Sequence, residues 1–139
     1  MPHFLINHLG VIHLHGFWIF MLIMDLLIPA TMICFGKRYQ SKPPKEINNL
    51  SGYRTSMSMK NQDTWKFAHN YVGKLWFISG IVSIMPTIFS FLYLYGRKVD
   101  TIGYMGGILC LIQMILMIGS IIPTEIALHK NYDINGNRK

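Results

Sequence analysis

Three long runs of apolar residues alternate with polar stretches along this chain of 139 residues. The runs are 10–35, 71–95 and 104–128, and each is as long as the ~20 residues that a helix needs to cross a bilayer core. None of them alternates apolar and polar residues with a period of two, as the strands of a membrane barrel do. A chain of this length cannot bury three helices that are apolar all round in water, so the pattern predicts three membrane spans.

The basic residues are distributed unevenly between the runs. Seven lie in the loop 36–70 and three in the tail 129–139, against two in the turn 96–103 and none before the first run. By the positive-inside rule, the N-terminus lies outside, and the loop and the C-terminus lie in the cytoplasm. The net charge of +7 therefore has a membrane explanation, and no motif accompanies it that would indicate nucleic-acid binding. Because no basic segment precedes the first run, we interpret it as a retained span and not as a cleaved signal.

The polar loop 36–70 divides into two parts. Residues 36–51 contain a glycine, a Pro-Pro pair and an Asn-Asn pair, which are typical of irregular chain. Asn61 is typical of a helix N-cap, and Asp63 follows where the helix dipole favours a carboxylate. We predict an amphipathic helix that begins near Asn61, lies at the cytoplasmic interface and continues into the second span. One face of it carries Trp65, Ala68, His69, Val72 and Trp76, and another carries Lys66, Asn70 and Lys74.

The predicted class is thus an all-α integral membrane protein with one domain over 1–139. Pro86 lies in the second span and Pro123 in the third, and each predicts a kink or an interruption of its helix.

Three polar side chains fall within the spans or at their ends. Asp25 is a candidate functional group, because a carboxylate at that depth faces the bundle interior or a water-filled cavity; the alternative is a hydrogen-bonded carboxyl that joins two helices. Gln113 predicts a hydrogen bond between helices. Glu125 lies near the cytoplasmic end of the third span, where we expect an ion pair with Arg54 or Lys66. Joint catalysis by Asp25 and Glu125 is disfavoured, because their depths differ by about half of the ~30 Å core.

Signs of catalysis or of metal binding are weak. The N-terminal histidines, His3, His8, His13 and His15, do not have the spacing of a metalloprotease helix, and we interpret them as interfacial. A zinc or copper site would need at least three of them to converge. No nucleophile elbow, Cys/His pair or phosphate-binding glycine loop is present. We therefore predict no catalytic residue, metal or cofactor, and the sequence favours a role other than that of an enzyme.

The stretch 52–76, GYRTSMSMKNQDTWKFAHNYVGKLW, resembles the signature of the SdpI family of small bacterial membrane proteins. The shared elements are Gly52-Tyr53-Arg54-Thr55, Ser58, Lys60-Asn61, Thr64-Trp65, Ala68-His69-Asn70 and Gly73-Lys74. The resemblance covers this motif and the helix that it enters. The other two spans are similar to the family in hydropathy alone, apart from the proline near the end of the third.

This resemblance implies a protein of the bacterial cell membrane that confers immunity to a secreted antimicrobial peptide toxin, with signalling in some members. The partners that it implies are the lipid bilayer, a toxin peptide and a cytoplasmic regulator. Three spans make a thin bundle, which is compatible with a homo-oligomer. Larger members of the family carry a further membrane domain ahead of this region, and here one span precedes it.

The candidate residues for binding a ligand or partner are Arg54, Thr55, Ser58, Lys60, Asn61, Trp65, His69 and Asn70. Three alternatives stay open. The motif could serve only to cap the bundle, with Arg54 satisfied by carbonyl groups and Glu125. The protein could be a membrane enzyme or carrier for a lipid-linked anion that uses Arg54, Lys60 and His69 at the inner interface. It could also be an assembly subunit without a site of its own.

Overall fold

The computed structural model describes residues 3–139, and four α-helices account for most of them. The helices are α1 (His3–Ser41), α2 (Gln62–Leu94), α3 (Val99–Gly119) and α4 (Ile121–Asn131). Three stretches, namely α1, α2 and the α3–α4 pair, are long and apolar enough to cross a membrane. The predicted all-helical, three-span architecture is confirmed. The first two residues of the predicted outer segment lie outside the described range.

α1 extends beyond the predicted span 10–35 in both directions. Residues 36–41, which we predicted as irregular chain, continue the helix, so that prediction is wrong for this part of the loop. The helix persists because Gly36 is packed directly against the backbone of α2. It ends at Ser41, just ahead of Pro43, since a proline disfavours helical geometry in the residue before it.

α2 begins where the cap residue predicted it. The side-chain oxygen of Asn61 accepts a hydrogen bond from the backbone N–H of Thr64 at 2.9 Å, and the Thr64 hydroxyl accepts one from the N–H of Asn61 at 3.1 Å. This reciprocal pair satisfies two donors at the helix start. Trp65, Ala68, His69 and Val72 are all buried, which confirms the predicted apolar face. The interfacial segment and the second span are one continuous helix.

The two prolines have different effects. α2 runs unbroken through Pro86, so of the two predicted effects, a kink or an interruption, the interruption does not occur there. The third span is interrupted, but at Ser120, three residues before Pro123. Pro123 lies in the first turn of α4, where the N–H that proline lacks has no partner within the helix. The indole N–H of Trp76 donates to the Ser120 hydroxyl at 2.8 Å and so joins α2 to the break.

The contact between α1 and α2, which run antiparallel, is the most extensive in the bundle. Glycines allow the two backbones to come close. A methyl group on Gly36 would lie 2.6 Å from the backbone nitrogen of Phe77 and 2.7 Å from the carbonyl oxygen of Gly73. A methyl group on Gly80 would lie 2.9 Å from the carbonyl oxygen of Pro29. Small residues serve this purpose in membrane helices, whose association depends on close packing.

Buried apolar side chains gather at the two ends of the bundle. We call the end that holds residues 42–61 and 132–139 the basic end. Its cluster comprises Tyr39, Tyr53, Met57, Ala68, Val72, Leu128 and Tyr132. The cluster at the opposite end comprises Phe91, Leu94 and Ile102, packed against side chains of α1 that include Trp18. Between the two clusters lie the buried polar side chains of Asp25, Ser83, Thr87 and Gln113.

The outside of the bundle is apolar. Phe20, Val82 and Ile115, one from each span, are 54%, 63% and 63% exposed, and many other large apolar side chains are exposed as well. A surface of this kind is incompatible with water over such an area but is suited to lipid. The fold is therefore a multi-pass membrane bundle with a polar centre.

The glycine contact predicts a contrast between two Gly→Ala variants. Gly36→Ala should destabilise the bundle by about 1–3 kcal/mol, because the added methyl meets backbone atoms that cannot move independently. Gly107→Ala should be neutral or stabilising by up to about 1 kcal/mol, because alanine favours the helix and nothing lies within 4 Å of the added methyl. Thermal unfolding of both variants in the same detergent measures the difference. Equal stabilities would contradict the close-packing argument.

Candidate functional site

The linker between α1 and α2 closes on itself in a tight turn before α2 begins. The backbone N–H of Thr55 donates to the Ser58 hydroxyl at 2.8 Å, and the N–H of Ser58 donates to the Thr55 hydroxyl at 3.1 Å. The Ser58 hydroxyl, which is fully buried, also donates to the carbonyl oxygen of Tyr53 at 3.1 Å. Both predicted site residues, Thr55 and Ser58, thus have their hydroxyl groups engaged in holding the turn.

His69 fastens this turn to α2. Its Nε2 accepts a hydrogen bond from the backbone N–H of Tyr53 at 2.9 Å, and its Nδ1 lies 2.8 Å from the carbonyl oxygen of Trp65. A carbonyl oxygen can only accept, so Nδ1 carries the proton and Nε2 is the bare acceptor. Both ring nitrogens are engaged when the imidazole is neutral.

The surroundings of His69 favour that neutral form. The side chain is fully buried, with the Trp65 ring 4.3 Å and the Tyr39 ring 5.0 Å from it, centroid to centroid. His69 lies ahead of the apolar span 71–95. Burial lowers the pKa of its imidazole, and the hydrogen bond to the Trp65 carbonyl opposes part of that shift. A proton on Nε2 would also place two donors face to face at the Tyr53 amide.

Gly52 allows the linker to approach the imidazole. Its φ of +102° lies in a region that side chains rarely adopt, and a Cβ at this position would collide with His69 Nε2. The glycine at the head of the motif therefore has a physical role on two grounds, backbone conformation and space.

Trp65 and Arg54 both bind backbone carbonyl groups of the linker. The buried Trp65 ring donates its indole N–H to the carbonyl oxygen of Pro44 at 2.8 Å. The Arg54 guanidinium donates to the carbonyl oxygen of Asn49, and its side chain is otherwise exposed. The Trp65 contact ties the Pro-Pro segment to α2, and the Arg54 contact lies within the linker itself.

Tyr53 makes a contact with α4 that the sequence did not predict. Its hydroxyl donates to Glu125 Oε1 at 2.7 Å, which connects the linker to α4. The expected ion pair of Glu125 with Arg54 or Lys66 is wrong: within residues 3–139, the basic side chain found within 4 Å of this carboxylate is His129, whose Nε2 lies 3.9 Å from Glu125 Oε2 and carries charge only when the imidazole is protonated. Burial, reinforced by the Glu125 carboxylate, raises the pKa of the Tyr53 phenol well above its usual range. The signal in the sequence that could have indicated this contact is the tyrosine of the Gly-Tyr-Arg-Thr element.

The remaining motif residues lie toward the surface at the basic end. Lys60 is exposed, and the Asn61 side chain donates to the carbonyl oxygen of Gly136 at 2.6 Å, which holds the C-terminal tail against the cap. Asn70 lines a cleft of about 470 Å³ together with Lys66, Lys74 and Arg138. This basic face of α2 is therefore separate from the face that carries His69.

We call the contact of the linker at Tyr53 with His69 of α2 the joint. The polar groups of the spans lie apart from it. Asp25 is 1% exposed and faces Gly106 of α3, and its Oδ2 has no hydrogen-bond partner in the part of the chain that the structure describes. Gln113 donates to the Thr87 hydroxyl at 2.8 Å, which is the kind of bond between helices that the sequence predicted. Over residues 3–139, no three His, Cys, Asp or Glu side chains come together as a metal site would require.

The geometry defines a small multi-pass membrane protein whose polar linker is locked onto its second span by neutral hydrogen bonds. Comparison with known proteins extends this class to a family. The SdpI/YfhL protein family matches residues 45–124, which are more than half of the chain. The chain belongs to this family.

A curated relative supports the assignment. The "Uncharacterized protein YfhL" of Bacillus subtilis (strain 168) is 43% identical over 51 residues, which are 37% of this chain and 46% of that protein. The matched segment thus spans less than half of the relative's length. No solved structure matches the chain.

The His69 geometry predicts a loss of stability in mild acid. Because the pKa is lower in the folded state than in the unfolded state, the unfolded chain binds the proton first as the pH falls. The contribution of His69 is present above the unfolded pKa of about 6.5 and is lost as the pH falls through the lower, folded value. Thermal unfolding in detergent between neutral and mildly acidic pH measures it.

The matched controls replace a histidine by a side chain that does not titrate. His69→Gln, whose amide oxygen can still accept from Tyr53, should reduce the slope of stability against pH in this window. His13→Gln, at an exposed side chain of α1, should leave the slope as it is in the parent protein. An unchanged slope in His69→Gln would show that the joint does not titrate as described.

The hydrogen bond from the Tyr53 hydroxyl to Glu125 predicts that removing this hydroxyl lowers the stability of the protein. Tyr53→Phe should destabilise the protein by about 1–2 kcal/mol, because the hydrogen bond to a carboxylate is lost while the ring stays in place. Tyr104→Phe, at a side chain that is 72% exposed, should change stability by less than about 0.5 kcal/mol. Unfolding of the two variants side by side tests whether the linker is fastened to α4.

Proposed function

We propose that the protein resides in the bacterial cell membrane and confers immunity to a secreted antimicrobial peptide toxin. Family membership carries the proposal, because the motif 52–76, on which the resemblance to immunity proteins rests, falls within the matched residues 45–124. The excess of basic residues in 36–70 and 129–139 supports an orientation with the basic end in the cytoplasm and the N-terminus outside.

The internal bonds of the motif support a division of labour. The joint between the linker and α2 uses the polar groups of Thr55, Ser58 and His69 in hydrogen bonds. In this proposal the motif keeps the bundle in shape, and the toxin is met elsewhere. The basic end, with Lys60 and Asn70 exposed, is the surface open to a cytoplasmic regulator in a signalling role.

The end opposite the basic end suits contact with a peptide at the membrane surface. Tyr93, Tyr95 and Tyr104 are 68%, 59% and 72% exposed there, and the Arg97 guanidinium lies 4.8 Å from the centre of the Tyr93 ring. Tyrosine favours the interface between lipid and water. An amphipathic antimicrobial peptide lies at the same depth with its apolar face in the lipid, so that these rings and the toxin share one layer.

Expression in a sensitive bacterium tests the proposal. Cells that produce the full chain should tolerate a several-fold higher concentration of at least one peptide in a panel of secreted bacterial toxins than cells with the empty vector. Unchanged sensitivity to the whole panel, at protein levels confirmed by immunoblot of the membrane fraction, would contradict immunity.

Paired variants locate the toxin-facing end. Tyr93→Ala with Tyr104→Ala should lower the tolerance, because both exposed rings are removed from the layer of the toxin. The matched control, Leu50→Ala with Ile134→Ala, removes two side chains that are 92% and 78% exposed at the basic end and should leave tolerance unchanged. Equal losses in both pairs would argue against an outer contact surface.

A further inference from the structure

A second basic cleft lies between the last turns of α1 and the linker that follows them. Its volume is about 670 Å³, and its walls include Phe35 and Arg38 from α1, and Lys42, Pro44 and Lys45 from the linker. It is distinct from the cleft beside Asn70 and from the joint at His69. None of its three basic residues belongs to the motif 52–76.

The charge in this cleft is not balanced. Arg38, Lys42 and Lys45 line it, and no carboxylate does. In the described structure, none of these three cations lies within 4 Å of a carboxylate oxygen. Three uncompensated positive charges around one concave surface favour an anion.

The wall of the cleft is held in place by α2. The indole N–H of Trp65 donates to the Pro44 carbonyl at 2.8 Å, and the side-chain amide of Gln62 donates to the Lys45 carbonyl at 2.5 Å. Two successive prolines at 43 and 44 restrict the backbone further. The linker therefore presents Lys45 from a defined position, opposite Arg38 of α1.

The cleft is apolar at its membrane side and basic at its far side. Cys34 and Phe35 end the apolar run 10–35, and Phe35 is 46% exposed to the outside of the bundle. Arg38 follows on the same wall, about 5 Å further along the axis at the helical rise of about 1.5 Å per residue, and Lys42 lies just beyond the end of the helix. A ligand that matches this arrangement, apolar toward the membrane and basic beyond it, has an acyl chain attached to a phosphate group.

We infer that this cleft binds the phosphate of an anionic phospholipid in the leaflet at the basic end, with the lipid's acyl chain along Phe35. The Arg38 guanidinium can bind two phosphate oxygens at once, and the two lysines add charge without fixed geometry. The site does not depend on the immunity proposal, because it uses other residues and a different ligand.

Lipid titration of the purified full chain in detergent tests the inference. Native mass spectrometry counts the molecules of short-chain phosphatidylglycerol bound, with phosphatidylcholine of the same chain length as the comparison. Arg38→Gln with Lys42→Gln should weaken binding of phosphatidylglycerol by about 25-fold, since each basic residue near an anionic lipid surface contributes about fivefold. The charge-retaining pair Arg38→Lys with Lys42→Arg should keep most of the affinity.

The matched control removes the same charge from outside the cleft. Lys37→Gln with Lys130→Gln should stay within about twofold of the parent protein, because both side chains are exposed and neither lines this cleft. An equal loss in the control pair would overturn the site in favour of overall surface charge. Equal binding of phosphatidylcholine, or displacement of the lipid by inorganic phosphate at the same concentration, would overturn the assignment to an anionic lipid.

Discussion

The hydrogen bond from the Tyr53 N–H to Nε2 of His69 is the contact on which the basic end of this protein depends. It is 2.9 Å long and lies where no water reaches it, so that its loss would leave a buried amide without a partner. Because the imidazole also binds the Trp65 carbonyl of its own helix, the linker is attached to a rigid element. With its backbone held in this way, Tyr53 can extend its phenol to Glu125 of α4.

The joint also fixes the shape of the basic end. The Trp65 ring, which lies tilted beside that of His69, donates to the Pro44 carbonyl, and this contact fixes one wall of the cleft that carries Lys45. The buried face of the first turns of α2 therefore organises the linker, while the linker's exposed side presents positive charge. The packed face and the positively charged face of this short segment are thus distinct.

In the spans, the distribution of polar and apolar side chains is the reverse of that in a soluble protein. Large apolar side chains cover the outside, whereas Asp25, Thr87 and Gln113 are buried among the helices. The Gln113–Thr87 bond satisfies part of this centre, and Asp25 Oδ2 faces the space left by Gly106. Without water in the bilayer core, such groups must find partners in the bundle, which gives the polar centre a direct influence on helix packing.

Much of the fold could be predicted because its causes are local. The length of each apolar run predicted a span, and Asn61 with Asp63 predicted the start of α2. The site was less accessible. Opposite charge suggested Arg54 or Lys66 as the partner of Glu125, but the path of the linker brings a neutral phenol there instead. The position of the break at Ser120 was equally hidden, because Pro123 fits either a kink or the first turn of a new helix.

By itself, the sequence determined the membrane class, the number of spans, the capped start of α2 and the resemblance to a family, because hydropathy, cap chemistry and motif spacing are properties of neighbouring residues. Only the tertiary structure decided what the motif does within the molecule. Gly52, Tyr53 and His69 lie up to seventeen residues apart and meet through the fold, as do Arg38 and Lys45 across the cleft. Contacts of this kind depend on the path of the linker, which no local pattern specifies.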